Sequence, residues 1–157
     1  ILETLGLDLP TQVLHTRAAW YTFPPQRLAS LGLDEYSLAG GLHALEHAAI
    51  AILPLFAMCD RWDIGGMSTS GHPDTGQATV FIYDAYPGGV GISARAFELA
   101  GAHLRATMEM VRGCRCKEGC PSCIHSPKCG SGNEPLNKQA ALSLLELLEE
   151  DLSRRAR

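Results

Sequence analysis

Apolar positions recurring every three or four residues pick out three helices along the chain. Leu38, Leu42, Leu45, Ala49, Ile52, Phe56 and Cys59 form one continuous stripe, which predicts a long helix over 38–59 with a kink at Pro54. Ile92, Ala96, Leu99, His103, Ala106 and Met110 form a second, predicting a helix that runs to about Arg112. Ala141, Leu144, Leu145, Leu148 and Leu152 form a third, and Asn137 stands where its N-cap belongs. Two other stretches are rich in β-branched and aromatic residues and read as strands: Gln12 to Phe23, stopped by Pro24-Pro25, and Ala78 to Ala85. Gly65 to Gly76 and Cys114 to Asn133 have no periodicity and read as loops. The pattern as a whole predicts an α+β domain, a small sheet packed by three main helices, carrying a four-cysteine zinc loop at about 113–133.

Composition narrows the function. A chain of 157 residues with 46% hydrophobic and 19% charged residues can bury a core, which excludes a disordered tail. A net charge of −4 argues against unaided binding to nucleic acid, so any such contact has to be local or shared with another domain. The longest uncharged apolar run, Ala48 to Cys59, contains Pro54 and is shorter than the roughly 20 residues that a bilayer requires. We therefore expect no membrane partner, and the crowding of five cysteines between Cys114 and Cys129 leads us to expect a reducing, cytoplasmic location, the bacterial cytosol with nucleoid association when active. The chain begins at Ile1 with no signal-like segment, which reads as a C-terminal fragment of a longer polypeptide.

Five of the six cysteines fall between Cys114 and Cys129, too close together to tie distant parts of a fold as disulfides. Zinc takes four borderline or soft donors in a tetrahedron, and thiolates a few residues apart in a turn can converge on one point. Cys114, Cys116, Cys120 and Cys123 are the first choice because they are consecutive and use the shortest loops. Cys129 and His125 remain within reach as substitutes, and an iron–sulfur cluster would use the same thiolates. Four sulfur ligands leave no open position, so the site reads as structural.

Three further patterns carry possible chemistry. His43-Ala-Leu-Glu46-His47 fits H-x-x-E-H, in which two histidines one helical turn apart bind zinc and the glutamate acts as a base. A third ligand is missing from that motif, and Glu98 and Glu109 have nothing to distinguish them for the role. Gly88-Gly89-Val90-Gly91, at a strand-to-helix turn, offers backbone N–H groups to a phosphate but has no P-loop lysine, and Asp84 just before it is placed to cap the turn instead. From Arg95 to Lys128 six basic residues face three acidic ones. That local excess suits either phosphate contacts by Arg112, Arg115, Lys117 and Lys128 or compensation of the thiolate charge.

The segments LHALEHAAIAILPLFAMCDRWDIGG, TVFIYDAYPGGVGI and CRCKEGCPSCIHSPKCGSGNEPLNK, in this order, resemble the C-terminal zinc-binding domain of MrfA-type DEAD/DEAH-box helicases, a superfamily 2 group similar to RecQ-like enzymes. The resemblance covers roughly residues 40–138. It implies an ATP-dependent parent enzyme that moves 3′ to 5′ on DNA in repair, with the motor domains of the same polypeptide and single-stranded DNA as partners. It also implies zinc on Cys114, Cys116, Cys120 and Cys123. No ATP-binding motif lies in the chain itself, so the expected role is an accessory, non-catalytic one. A zinc-stabilised protein-interaction module and an H-x-x-E-H metallopeptidase are the competing readings.

Overall fold

The computed structural model describes residues 9–155. Its sheet has three antiparallel strands, β1 (Ala18–Phe23), β2 (Ile64–His72) and β3 (Gln77–Asp84), in the order β1-β3-β2. Phe23 pairs with Ala78 and Ala18 with Tyr83 on one side of β3, and Ile64 pairs with Asp84 on the other. Five α-helices lie among the described residues, α1 (Pro25–Ala29), α2 (Glu35–Ile52), α3 (Ile92–Glu98), α4 (Ala100–Gly113) and α5 (Lys138–Arg155), of which α2 and α3 pack on the strands while α4 and α5 pack on α2. The α+β expectation holds, with α2, α4 and α5 as the main helices.

The central element is α2. It starts where the Asp34 carboxylate accepts from the Ser37 N–H at 2.7 Å, and it is buried on nearly all sides from Gly40 to Ile50. It packs against β2 and β3, α4 and α5, which requires small residues at the closest approaches. A Cβ at Gly41 would lie 2.6 Å from Ala140 Cβ of α5, and one at Gly66 of β2 would lie 2.7 Å from Ile50 Cδ1. Residues Glu35–Leu55 are long and apolar enough to cross a membrane by length and composition, which the run-length argument missed. The buried surface of α2, however, is already covered by the sheet, α4 and α5.

Several boundaries differ from those the pattern predicts, each for a physical reason. The helix expected over 38–59 does not kink at Pro54 but ends at Ile52, and Leu53–Leu55 form a 3-10 turn. Proline lacks an N–H and its ring clashes with the carbonyl four residues back. The helix expected to run to Arg112 is two helices, because Leu99 (φ −103°, ψ 18°) leaves helical geometry and turns the chain from the sheet toward α5. β1 begins at Ala18 rather than Gln12; upstream the pairing becomes irregular, with Arg17 O accepting from the Asp84 N–H, His15 O from the Gly88 N–H, and Thr16 Oγ1 donating to Asp84 O at 2.7 Å and to Tyr86 O at 2.9 Å. β1 does stop at Pro24-Pro25 as expected, and Pro25 in addition opens α1. The largest correction is Gly65 to Gly76: most of this glycine-rich segment is β2 and its turn into β3. Pairing along β3 overrides its low strand propensity.

Candidate metal centre and nucleic-acid interface

After α4 the chain leaves helical geometry at Cys114 and folds back over the main core. Cys123 and Ile124 are buried in that core beside Leu104, Met108 and Leu145. Gly119 takes φ +136°, and the Cys120 carbonyl accepts from the N–H groups of Cys123, Ile124 and His125 in one tight turn. The four thiols of Cys114, Cys116, Cys120 and Cys123 converge so that all their sulfurs lie within 4.8 Å of one another. Cys114–Cys120 and Cys116–Cys123 are 3.4 Å apart and Cys120–Cys123 are 3.7 Å apart. A zinc tetrahedron with Zn–S of about 2.3 Å has edges of about 3.8 Å, whereas a disulfide needs about 2.05 Å. All six cysteines are free. The donor chemistry and the spacing both fit zinc.

The surroundings of the thiols act on them in opposite directions. The Ser122 backbone N–H and the Cys114 sulfur pull the Cys120 thiol down to about 7, while burial pushes Cys123 up to about 12. Lys138, at the start of α5 and only 4% exposed, donates its ammonium to Cys114 O at 2.7 Å and Cys116 O at 2.8 Å, and sits 3.4 Å from Cys116 Sγ. Lys138 escaped the sequence reading because it lies outside the cysteine segment; a lysine at the head of a helix reads as surface.

Cys129 stands apart from these four. Its sulfur is 3.4 Å from His43 Nε2, in a second group with His47. His125 has its Nε2 near Gly119 and belongs to neither group. The H-x-x-E-H helix turn places His43 and His47 edge to face, 4.3 Å between ring centroids, on the wall of a cleft of about 640 Å³ between α2, β2 and the loop after Cys123. Burial lowers His47 to about 4, so it is neutral at pH 7. Burial raises Glu46, whose Oε2 accepts from Ser68 Oγ at 2.7 Å. Glu98 pairs with Arg95 at 3.0 Å on α3, and neither it nor Glu109 is among the residues lining this cleft.

The glycine turn after β3 holds an anion of its own. The fully buried Asp84 carboxylate accepts from the N–H groups of Val90 at 2.5 Å, Gly91 at 2.7 Å, Ile92 at 3.3 Å and Ser93 at 2.7 Å. Burial alone would raise this carboxyl, but the Ser93, Val90 and Gly91 hydrogen bonds outweigh it and hold the pKa below the ordinary aspartate value. The donors that would cradle a phosphate are therefore occupied, and the capping reading is the one the structure bears out.

The sequence model of the MrfA Zn-binding domain matches residues 45–124, just over half of the chain. The chain belongs to the MrfA Zn-binding domain family. It is 40% identical over 110 residues to the uncharacterised protein MJ1572.1 of Methanocaldococcus jannaschii, covering 68% of this chain and 98% of that one. It is 33% identical over 151 residues to the uncharacterised ATP-dependent helicase YprA of Bacillus subtilis, covering 94% of this chain but 19% of the helicase. It is 29% identical over 164 residues to the ATP-dependent helicase hrq1 of Schizosaccharomyces pombe, covering 15% of that protein. A crystal structure of the DUF1998 helicase MrfA bound to DNA superposes with a TM-score of 0.72 at 31% identity, over 90% of this chain and 18% of that one. The chain thus spans nearly all of the archaeal relative and a fifth or less of each helicase.

Within this MrfA-type domain the four basic residues singled out by sequence divide into two pairs. Arg112 Nη2 forms an ion pair with Glu146 Oε1 of α5 at 2.7 Å. Lys128 Nζ donates to Arg61 O at 2.9 Å and Ile64 O at 2.6 Å and lies over the Trp62 ring, so it braces the loop against the start of β2. Arg115 and Lys117, between the thiol-bearing residues, are exposed.

Proposed function

We propose that the chain is a single accessory domain of an ATP-dependent 3′-to-5′ DNA helicase active in DNA repair. Zinc on Cys114, Cys116, Cys120 and Cys123 fixes its shape, and it docks on the motor domains of the same polypeptide and helps to guide single-stranded DNA. The observation that carries this reading is the likeness, over nine-tenths of the chain, to part of a helicase crystallised with DNA. The exposed cations Arg115 and Lys117, held on a rigid metal loop, suit phosphate contacts that tolerate any sequence. Arg112 and Lys128 contribute less, because their charged groups already have protein partners. Such a protein works on DNA in the cytosol.

The test is the charge reversal Arg115→Glu with Lys117→Glu in the full-length helicase. On this reading, salt-dependent DNA binding falls about tenfold or more and unwinding slows, with zinc content and circular dichroism unchanged. Unchanged unwinding would place the DNA on another face. The near-complete coverage of a short archaeal relative favours a second reading, a zinc-stabilised module that serves a protein partner. In that case DNA binding by the helicase would be insensitive to both reversals.

A further inference from the structure

We propose that His43, His47 and Cys129 form a second metal site, for a zinc-class divalent cation, separate from the four thiols and with one coordination position open to the cleft. The ring nitrogens supply the first argument. His43 Nδ1 lies 2.9 Å from Pro135 O and His47 Nδ1 lies 2.8 Å from Ile124 O. A carbonyl oxygen only accepts, so each Nδ1 carries the proton and each Nε2 keeps a free lone pair. This is how protein scaffolds fix a ligating imidazole: the far nitrogen is tethered and the near one is left for the metal.

The sulfur supplies the second argument. Cys129 Sγ is 3.4 Å from His43 Nε2, and one donor atom from each of the three residues lies within 4.8 Å of the others. A tetrahedral ion with Zn–N of about 2.0–2.1 Å and Zn–S of about 2.3 Å places N and S about 3.5 Å apart. Cys129 Sγ also accepts from the Asn133 N–H at 3.2 Å and sits 3.2 Å from Ser131 Oγ, contacts that hold the sulfur beside His43. Two imidazoles and one thiolate select zinc over the hard cations, and among the described residues no methionine lines the cleft to supply the axial ligand of a copper site.

Three protein donors leave the fourth position to water or to a small ligand entering the cleft. The third donor is a thiolate from the loop after the four-thiol turn, not the downstream carboxylate that an H-x-x-E-H peptidase uses, so the site binds metal without implying peptide hydrolysis. It also joins α2 to that loop, and it stands or falls independently of the DNA reading.

The experiment is metal analysis of the chain, purified under reducing conditions and equilibrated with zinc, together with cobalt(II) substitution. The expected result is two metals per chain. His43→Gln and Cys129→Ala should each lower the ratio to one while circular dichroism and the all-sulfur cobalt spectrum persist. Cobalt in the unmodified chain should add a second set of d–d bands at shorter wavelength, from the weaker thiolate character of the new site, which reads the site without any variant. A ratio of one in the unmodified chain, or a ratio of two that survives both substitutions, or cobalt bands of the all-sulfur kind alone, would overturn the proposal.

Discussion

At the scale of single residues, the fold relies on a few buried charges whose partners are backbone groups. Asp84 gathers four N–H donors at the start of α3. Asp84→Asn puts an amide N–H₂ among donors and should cost about 1–3 kcal/mol at neutral pH, read by thermal or urea unfolding. Because the folded pKa is lowered, the stabilisation from this carboxylate is present above the ordinary value of 3.8 and is lost as pH falls through the folded value. The loss on acidification should accordingly be shallower in the asparagine variant. Lys138 does the converse at the thiol site, placing one buried cation against two carbonyls and a sulfur. Lys138→Met should leave those carbonyls unpaired and weaken zinc affinity about 10–100-fold, measured by competition with a chelator.

At the scale of elements, α2 decides the packing, and its glycines show how tightly. Gly41→Ala would gain about 1 kcal/mol of helix propensity, yet the new methyl meets Ala140 Cβ, so a cost of about 1–3 kcal/mol wins. The variant should melt lower than the parent by several degrees. The stripe of Leu42, Leu45 and Ala49 was readable from periodicity alone, because only one face of an ordinary helix is apolar. That Glu46 and His47 are buried and His43 partly covered could not be read, since it follows from β2 packing on Glu46 and from the chain after Cys123 lying across the two histidines. β2 was invisible for a related reason. Its glycines and serines are unfavourable in isolation, and they are there because α2 must come close to Gly66 and because Ser68 bonds Glu46.

At the scale of the molecule, the zinc loop is part of the main core rather than an appendage, since Cys123 and Ile124 pack with α2, α4 and α5. Removing zinc with a strong chelator should therefore lower the unfolding temperature of the whole domain, in one cooperative step visible in the helical signal. Cys116→Ser should reproduce that loss. Cys59→Ala, at a thiol that packs beside Phe56 and Ala57 against the second apolar cluster, should leave metal content unchanged.

The sequence by itself determined the local facts: the three apolar stripes, the strand at Ala78 to Ala85, the Asn137 cap, whose Oδ1 accepts from the Ala140 N–H at 2.9 Å, and the crowding of thiols that specifies a soft metal. These depend on neighbours within a few residues, where periodicity and spacing are decisive. Tertiary structure alone decided that β2 is a strand, that Lys138 faces the thiols, and that Cys129 turns to His43 and away from the four. Lys138 and Cys129 meet partners 22 to 86 residues away, and β2 owes its extended form to pairing with β3 rather than to its own residues; no local propensity encodes which partner a side chain will meet once the core has closed.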